Sequence, residues 1–595
     1  MKGFQRRPAA EPLAPSAPKF SAEDFAAPDR ECDIIMKGGV TSGVVYPYAI
    51  LQLARSYRFR SVGGASAGGI AAAFAAAAEF ARSRGDPGGF VRLEKRCLEL
   101  PARLRSLFQA EPRFQPLMDA ALAASAKDGA GVRRALWAGP LPLLAGFVAG
   151  AGLLWGLHGG WAGAGLGGLV GAGAVPAMRI VYLARLLFKH LPAHDFGMCR
   201  GLSVDGKVPA LTDWLYDALQ DIAFGDTAPG HRPLTFGDLR KAAPEGAPGH
   251  GVALKMMTTN LSMRRPHALP ELMRETLFEA ARWAKIFPAP VMAYLTRPNI
   301  GRVSKHWPDH RLAPSPDNLP VIVAVRMSLS FPFLITAVPM AIRDIGAQKR
   351  AIARGVPKDE AAPKAPAPLW FSDGGLTSNF PIHFFDALLP ARPTFALSLD
   401  AIPEDEPTDG PRVRLQMEAG EGIFLPISPV QGLGGFAMAL FNASKDWQDT
   451  LLSGMPGQRE RIIRVALAED EGGLNLDMPP QRSETLMAYG DQAGQMLSTQ
   501  FDFDEHRWRR TLTAYEQLEW VGLATDQVWG QGFGAWYKAY ASAPKSYKSS
   551  TKAERRLIAD RLAAFGKLGR TFTPALRERR IWPRPSGRIR VAPDV

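Results

Sequence analysis

The sequence predicts an α/β protein, because short apolar segments end in glycine turns that lead into helical patterns. The first segment, residues 32–39, runs into a turn at 38–47. The second segment, 58–63, is followed by an alanine-rich helical pattern at 69–84. Two later apolar segments also have strand character: 369–373 and 393–400. Strands that alternate with helices are typical of a sheet covered by helices.

Length and composition indicate a large globular protein. A chain of 595 residues is too long for one ordinary core, so two or more folded units are expected. Three widely spaced cysteines, Cys32, Cys97 and Cys199, form neither a disulfide framework nor a zinc motif, which fits a reducing compartment. The net charge of +14 favours contact with anionic surfaces, either nucleic acid or acidic lipid.

A long uncharged stretch lies at residues 135–178, which contain no Asp, Glu, Lys or Arg. A membrane-spanning helix needs about 20 apolar residues, so this stretch is long enough for two. Basic residues flank it on both sides, including Arg134 and Arg179, which places both ends in the cytoplasm. The stretch therefore predicts an inserted transmembrane helical hairpin. A buried, glycine-rich helical pair in a soluble core is the alternative.

A serine motif stands between the second strand and its helix. Residues 64–68 read Gly-Ala-Ser-Ala-Gly, the pattern of a turn that exposes the hydroxyl of Ser66 as a nucleophile. Such a hydroxyl needs a base. Asp373 follows an apolar strand and precedes Gly374 and Gly375, so it is placed to meet a residue from a neighbouring strand. An ordinary Asp-Gly β-turn is the alternative reading of Asp373.

The first glycine turn offers backbone donors. Gly38, Gly39 and Gly43 lie just before a predicted helix start, where N–H groups can face a bound oxygen. Donors in this position suit the oxyanion that develops during acyl transfer. Phosphate binding or simple chain reversal would use the same pattern.

These three motifs together resemble the patatin-like phospholipases, over roughly residues 31–400. The resemblance implies a three-layer core with a central, mostly parallel sheet. It makes Ser66 the nucleophile and Asp373 the base of a dyad that needs no histidine, cofactor or metal, with Gly38, Gly39 and Gly43 as the oxyanion hole. The glycine turn departs from the family pattern, because Val40 and Ser42 replace a glycine and a basic residue.

Histidine offers a second route to the same chemistry. His383 and His506 both follow Asp373 in the sequence, so a Ser-His-Asp triad in the order of the α/β-hydrolases is possible. The dyad is favoured because Asp373 stands in the family's base motif and neither histidine stands in a comparable one.

The sequence predicts several further regions within and beside the catalytic domain. Residues 1–30 are rich in Pro and Ala without an apolar core, which indicates a disordered leader rather than a signal peptide. The predicted regions are a leader at 1–30, a catalytic domain at 31–400, the hairpin at 135–178, a mainly helical extension at 401–542 and a basic tail at 543–595.

The sequence thus predicts a serine carboxylic ester hydrolase of phospholipase A type that releases fatty acids from membrane glycerolipids. An acyltransferase or thioesterase would use the same dyad. A membrane-anchored lipid-binding scaffold without turnover, and a soluble toxin effector, are further alternatives.

The basic tail predicts the partner. Residues 543–595 contain a basic amphipathic pattern with Leu557, Ile558, Leu562 and Phe565 on one side. Because no nucleic-acid-binding module accompanies it, we expect an anionic membrane surface rather than nucleic acid. The expected location is the bacterial inner membrane, with the catalytic domain in the cytoplasm. The oligomeric state stays open.

Overall fold

A computed structural model describes most of the chain outside the stretch 126–176. The described residues are 18–39, 41–125, 177–225, 232–241, 251–403, 406–407, 409–418, 430–468, 471–472, 476, 478–546, 548–572 and 583–585, together with 148, 149, 151, 153, 166 and 170.

Thirteen strands lie among the described residues: β1 (Arg30–Met36), β2 (Tyr57–Ala65), β3 (Gly197–Cys199), β4 (Ala253–Asn260), β5 (Arg265–Leu269), β6 (Thr276–Glu279), β7 (His310–Leu312), β8 (Phe333–Ile335), β9 (Val338–Ile342), β10 (Ala367–Asp373), β11 (Thr394–Ala401), β12 (Val413–Leu415) and β13 (Ile462–Leu467). Eleven of them form one sheet in the order β12-β13-β11-β1-β2-β4-β10-β9-β6-β7, with β5 paired to β4, and β3 pairs with β8 in a separate two-stranded sheet. The five central strands, β13 to β4, are parallel to one another, and the outer pairs are antiparallel. The predicted α/β class with a central, mostly parallel sheet is confirmed, while the patatin-like three-layer core stays a prediction.

Helices surround this sheet. Those with both ends among the described residues are α1 (Tyr46–Ser56), α2 (Ala67–Ser83), α3 (Gly88–Leu107), α4 (Gln115–Ser125), α5 (Leu211–Phe224), α6 (Phe236–Lys241), α7 (Ala280–Trp283), α8 (Ala289–Leu295), α9 (Val321–Ser328), α10 (Ile345–Ala353), α11 (Gly432–Ser453), α12 (Pro480–Thr499), α13 (Phe503–Val528), α14 (Gly534–Tyr540) and α15 (Lys552–Gly569).

The two faces of the sheet bury unequal cores. Successive side chains of a strand point to opposite faces. Ile34 and Met36 belong to a large cluster that includes α2, α3, α5 and α9, whereas Ile35 belongs to a small cluster. Phe380 and Ile382, from the loop after β10, complete the small cluster. The helical face therefore supplies most of the hydrophobic stabilisation.

The described part of 401–542 is mainly helical, but two of its strands extend the sheet. β13 pairs in parallel with β11, from Ala396 opposite Ile462 to Ala401 opposite Leu467. α12 packs closely on α1: a Cβ at Gly490 would lie 1.9 Å from the carbonyl oxygen of Val45. The C-terminal region is therefore built into the same core as the N-terminal strands.

Part of the expected disordered leader is packed instead. Phe25 is fully buried, and Phe20 is nearly so. The backbone N–H groups of Lys19 and Phe20 donate to Glu94 of α3, at 2.7 and 3.1 Å. Residues 18–29 thus depart from the prediction, because two aromatic side chains are enough to fix a short segment that has no long apolar run.

The prediction of a transmembrane helix is contradicted. Within the described chain, every helix is either too short or insufficiently apolar to cross a bilayer. Most of the 135–178 stretch, on which the hairpin was predicted, lies outside the described residues. The long helices that the structure does describe, such as α3 and α13, carry many Arg and Glu side chains, which are costly in the core of a bilayer.

Candidate active site

Ser66 occupies a strained turn between β2 and α2. Its φ of 53° and ψ of −127° lie in a region that residues with a Cβ rarely adopt. Glycines on both sides make the turn possible: a Cβ at Gly64 would lie 2.4 Å from the carbonyl oxygen of Gly68, and a Cβ at Gly68 would lie 2.4 Å from that of Met36. The motif therefore folds as the sharp strand-to-helix turn that its spacing predicts.

Asp373 is the last residue of β10, and its carboxylate is buried. Oδ1 accepts a hydrogen bond from the N–H of Gly375 at 2.7 Å. Oδ2 has no hydrogen-bond partner among the described residues. Burial raises the pKa of Asp373 from 3.8 to about 6, while the Ser66 hydroxyl, the Gly375 N–H and the charge of Lys445 oppose this rise. The side chain is therefore a stronger base than an exposed aspartate.

Strand register brings Ser66 and Asp373 to the same level of the sheet. Ala65 stands opposite Met257 of β4, and the next β4 residue, Thr258, stands opposite Asp373. β2 and β10 flank β4, so their backbones are two strand spacings apart, roughly 10 Å. The side chains extend into that gap, since the Ser66 hydroxyl is close enough to lower the pKa of Asp373.

No formed hydrogen bond yet joins the two side chains. The Ser66 hydroxyl instead donates to the carbonyl oxygen of Gly39 at 3.3 Å, which leaves Oδ2 of Asp373 free to accept. Catalytic hydrogen bonds are often long before a substrate binds. For Asp373 to receive the proton, the hydroxyl must turn from the Gly39 carbonyl towards the carboxylate.

The glycine turn lies beside Ser66, but its donors are not all free. The N–H of Gly38 donates to the carbonyl of Asn379 at 2.7 Å. The carbonyl of Gly39 accepts from both Ser66 Oγ and the N–H of Ala67 at 3.3 Å. Gly43 approaches Ala67 so closely that a Cβ there would lie 2.8 Å from that of Ala67. Gly38 thus holds the loop after Asp373, and Val40 lies outside the described residues.

The segment before β10 supports both members of the pair. The Ser66 N–H donates to Ser328 Oγ at 3.1 Å, and the Asp373 N–H donates to the Ser330 carbonyl at 3.0 Å. Arg326, fully buried, donates to Ser330 Oγ at 2.6 Å. The segment around Ser328 therefore fixes Ser66 and Asp373 relative to each other.

Ser66 lies in the wall of an apolar cavity. The cavity encloses about 810 Å³ of space that is not filled by atoms, part of it continuous with solvent. Its wall is formed by Gly43, Val44, Pro47, Ser66, Ala67, Ile70, Ala71, Phe74, Cys97, Leu100, Leu104, Leu107, Phe108, Leu211, Trp214, Leu215, Leu329, Phe331, Leu334 and Ile335. A hydroxyl in the wall of an apolar cavity suits a substrate with a long hydrocarbon part.

The two histidines of the alternative triad lie elsewhere. His506 is buried against Phe501 and Phe503 in the C-terminal region, and burial lowers its pKa to about 3. His383 packs on Phe384. Among the described residues, the hydrogen-bond partners of Ser66 and Asp373 include no histidine. The geometry therefore favours the pair over the triad.

Two polar residues of α11 were not anticipated from the sequence. Asp449 accepts from the N–H of Phe380 at 2.7 Å and from Ser378 Oγ at 3.3 Å, so it anchors the loop after Asp373. Burial raises the pKa of Asp449 to about 6. Lys445, one turn earlier, is near enough to lower the pKa of Asp373. No sequence motif marks Asp449 or Lys445. They reach the loop after Asp373 only because α11, which is distant in the sequence, packs beside it.

Metal ligation finds no support in the described part of the chain. No group of three or more His, Cys, Asp or Glu side chains there is arranged to hold an ion. The three cysteines are buried and free.

Comparison with known proteins gives the family but not the reaction. No family model matches the chain. The RpoH suppressor of Rhizobium meliloti (strain 1021) is 34% identical over 95% of this chain and 99% of its own. This chain belongs to the RpoH suppressor family. The crystal structure of VipD from Legionella pneumophila aligns with 92% of this chain and 86% of VipD, at 12% identity and a TM-score of 0.27, a similarity too low to carry an argument.

Proposed function

We propose that this protein is a serine acyl hydrolase of patatin-like phospholipase type, which releases fatty acids from glycerolipids. One observation supports the proposal most strongly: Ser66, on its strained turn, stands between an apolar cavity and the buried carboxylate of Asp373. A nucleophile, a base and space for a hydrocarbon chain meet there, as acyl transfer requires.

The proposed reaction has two stages. Ser66 Oγ attacks the ester carbonyl carbon while its proton passes to Asp373, and the departing alcohol takes that proton as the C–O bond breaks. Water then attacks the acyl-enzyme, Asp373 accepts a proton from it, and the fatty acid leaves as Ser66 Oγ is reprotonated. The raised pKa of Asp373 favours these transfers, because a base of pKa about 6 is better matched to neutral pH than an ordinary carboxylate.

The proposal assigns the oxyanion donors to the N–H groups of Gly39 and Gly43. The N–H of Gly38 is already donated to Asn379. Gly43 belongs to the short helix Thr41–Val45, next to Ser66 in the cavity wall. Donors at such a place offset the charge that develops on the carbonyl oxygen.

Labelling with a fluorophosphonate probe tests the nucleophile in the full chain. We expect wild type to be labelled and to hydrolyse acyl nitrophenyl esters, and Ser66→Ala to lose both properties. Ser542→Ala, a change at an exposed serine of the C-terminal region, is the matched control and should behave as wild type. Labelling or hydrolysis that persists in Ser66→Ala would contradict the proposal.

Contact with anionic lipid forms a second part of the proposal. In α15, Leu557, Ile558 and Leu562 are exposed among basic residues, while Gly569 packs against α13 so tightly that a Cβ there would lie 2.3 Å from the Gly522 carbonyl oxygen. One side of α15 is thus fixed, and another offers apolar and basic groups to a surface.

Vesicle sedimentation tests this contact. Wild type should sediment with phosphatidylglycerol vesicles and much less with phosphatidylcholine vesicles. The double change Arg556→Gln and Arg561→Gln should weaken the first interaction by about thirtyfold, at about 1 kcal/mol for each charge. Equal sedimentation of wild type with both lipids would contradict this part.

A further inference from the structure

Asn379 lies where the glycine turn meets the loop that follows Asp373. Its backbone carbonyl accepts the N–H of Gly38 at 2.7 Å. Its side chain is half-buried, and the side-chain oxygen Oδ1 lies against glycines on both sides of this junction. The position of this one side chain therefore bears on both parts of the site.

The first contact of Oδ1 is with the start of the glycine turn. A Cβ at Gly38 would lie 2.1 Å from Oδ1 of Asn379 and 3.2 Å from the carbonyl oxygen of Ala65, the residue before Ser66. Two atoms that are not bonded cannot approach to 2.1 Å without strong repulsion. Any side chain at position 38 would therefore displace either Asn379 or the turn.

The second contact of Oδ1 is with the loop of the proposed base. A Cβ at Gly375 would lie 2.7 Å from Oδ1 of Asn379 and 2.9 Å from Oδ1 of Asp373. The two oxygens thus lie close to the same point beside Gly375, whose N–H holds the Asp373 carboxylate. Asn379 is in this way packed between the glycine turn and the loop that carries the base.

The neighbours of Asn379 are anchored to α11. The Ser378 hydroxyl donates to Asp449 at 3.3 Å, and the Phe380 N–H donates to the other oxygen of Asp449 at 2.7 Å. Phe380 is also buried in the small hydrophobic cluster. Because the residues on both sides are held, the backbone of Asn379 has little freedom to move away from Gly38.

Strand pairing alone does not set the distance between the turn and the base. The glycine turn follows β1, whereas Asp373 ends β10, and two strands, β2 and β4, lie between them in the sheet. Three strand spacings correspond to about 14 Å. The loop that ends at Asn379 crosses this distance and makes the direct contact between the two.

We propose that Asn379 is a positioning residue of the acyl-transfer site, which holds the glycine turn at a fixed distance from Asp373. This inference rests on the proposed function, which assigns oxyanion donors to this turn and the base to Asp373. An oxygen suits the contact because it can approach a backbone Cα more closely than a methyl group can. A displaced turn would weaken stabilisation of the transition state more than binding of the ester.

Kinetics of acyl nitrophenyl ester hydrolysis by the full chain test the inference. Asn379→Leu keeps a branched side chain but replaces the oxygen by a methyl group, which should push the turn away. We expect kcat to fall by about a hundredfold and KM to change by less than about twofold, as for a catalytic group displaced by about 1 Å. Asn318→Leu, at another half-buried asparagine, is the matched control and should keep the wild-type kcat.

A second pair of variants tests the contact itself. Gly38→Ala should lower kcat by about a hundredfold, because its Cβ would meet Oδ1 of Asn379. Adding Asn379→Ala removes that oxygen and should recover about tenfold of the lost activity, since residues in contact have coupled effects. If the losses of the two single variants simply multiply in the double variant, Asn379 does not press on Gly38 and the inference is wrong.

The pH profile separates positioning from a general loss of structure. Asn379→Asp places a second carboxylate beside Asp373, so the rise of kcat/KM with pH should move up by about one pH unit. Circular dichroism checks that each variant folds. An unmoved profile in folded Asn379→Asp, or a wild-type kcat in folded Asn379→Leu, would overturn the inference. Failure of the proposed function is a different result, because Ser66→Ala would then hydrolyse the esters as wild type does.

Discussion

Asp373 and Asp400 lie near the ends of two strands of one sheet, in opposite electrostatic surroundings. Asp400 pairs with Lys37 at 2.7 Å and with Arg464 at 2.9 Å. Although burial opposes them, these cations hold the pKa of Asp400 far below its ordinary value. Asp373 is more deeply buried, has no hydrogen bond to Oδ2 among the described residues, and has its pKa raised to about 6.

The difference separates a structural carboxylate from a reactive one. The two cations lower the basicity of Asp400. Its ion pair with Lys37 fixes that residue at the start of the glycine turn. Asp373 keeps its basicity because the surrounding groups satisfy one oxygen and leave the other free. Desolvation without neutralisation is a common way to raise the basicity of a catalytic carboxylate.

The largest expected effect is on activity. Asp373→Asn should lower kcat/KM for acyl esters by about a thousandfold, because a general base contributes on the order of 100 to 10,000-fold. Asp400→Asn should lower it by about tenfold at most, since Asp400 touches no reacting group. Ester hydrolysis by both purified variants measures this. Equal losses in the two variants would break the comparison.

Stability should change in opposite directions. Asp373→Asn should raise the free energy of unfolding at pH 8 by about 3 kcal/mol, because it removes a buried charge whose pKa is raised from 3.8 to about 6. Asp400→Asn should lower it by about 2 kcal/mol, since Lys37 and Arg464 lose their counter-charge, with the loss moderated by a side chain that is 26% exposed. Urea unfolding measures both.

The stabilisation by Asp373→Asn should depend on pH, because the pKa of Asp373 is higher in the folded state than in the unfolded state. The folded-state pKa of Asp373 is raised from 3.8 to about 6, so ionisation destabilises the native state as pH rises through this window. The advantage of Asp373→Asn over wild type should be complete above pH 6 and vanish below about pH 4. An advantage that persists at low pH would have another origin.

Activity should also depend on the ionisation of Asp373, but it should rise as the carboxyl group becomes ionised. Because the base must be ionised, kcat/KM of wild type should rise about tenfold per pH unit below about pH 6 and level off above it. A pH series with a neutral ester measures this limb. A flat profile between pH 5 and 7 would show that Asp373 does not act as the base.

The smallest effect concerns Asp449, whose pKa is also raised to about 6. Both of its oxygens accept hydrogen bonds from the loop after Asp373. Asp449→Asn should lower kcat/KM by less than about fivefold and leave the acid limb where it was, because a raised pKa alone does not make a base. A displaced acid limb would assign part of the titration to Asp449.

Local features of the site could be predicted from the sequence. Small residues around Ser66 predict the sharp turn because a Cβ at Gly64 or Gly68 would meet backbone atoms. The position of Asp373 at a strand end is also predicted from its neighbours, because an apolar run precedes it and two glycines follow it. These predictions depend on a few neighbouring residues, whose sterics decide the backbone.

Features that depend on distant residues could not be predicted. β10 runs antiparallel to β4, and this direction is decided by pairing between segments more than a hundred residues apart. The N–H of Gly38 finds its acceptor at Asn379, and Lys445 reaches Asp373 from α11. The transmembrane prediction rested on residues 135–178, most of which lie outside the described residues, and no helix of the described part is long and apolar enough to cross a bilayer.

The packing of α12 on α1 has a consequence for biosynthesis. Gly490 and Gly494 sit directly against the helix that follows the glycine turn, at Val45 and Ala49. A ribosome makes these partners more than four hundred residues after that turn, and such distant contacts form late in folding. The helix α1 therefore stays without its α12 partner until most of the chain has been made.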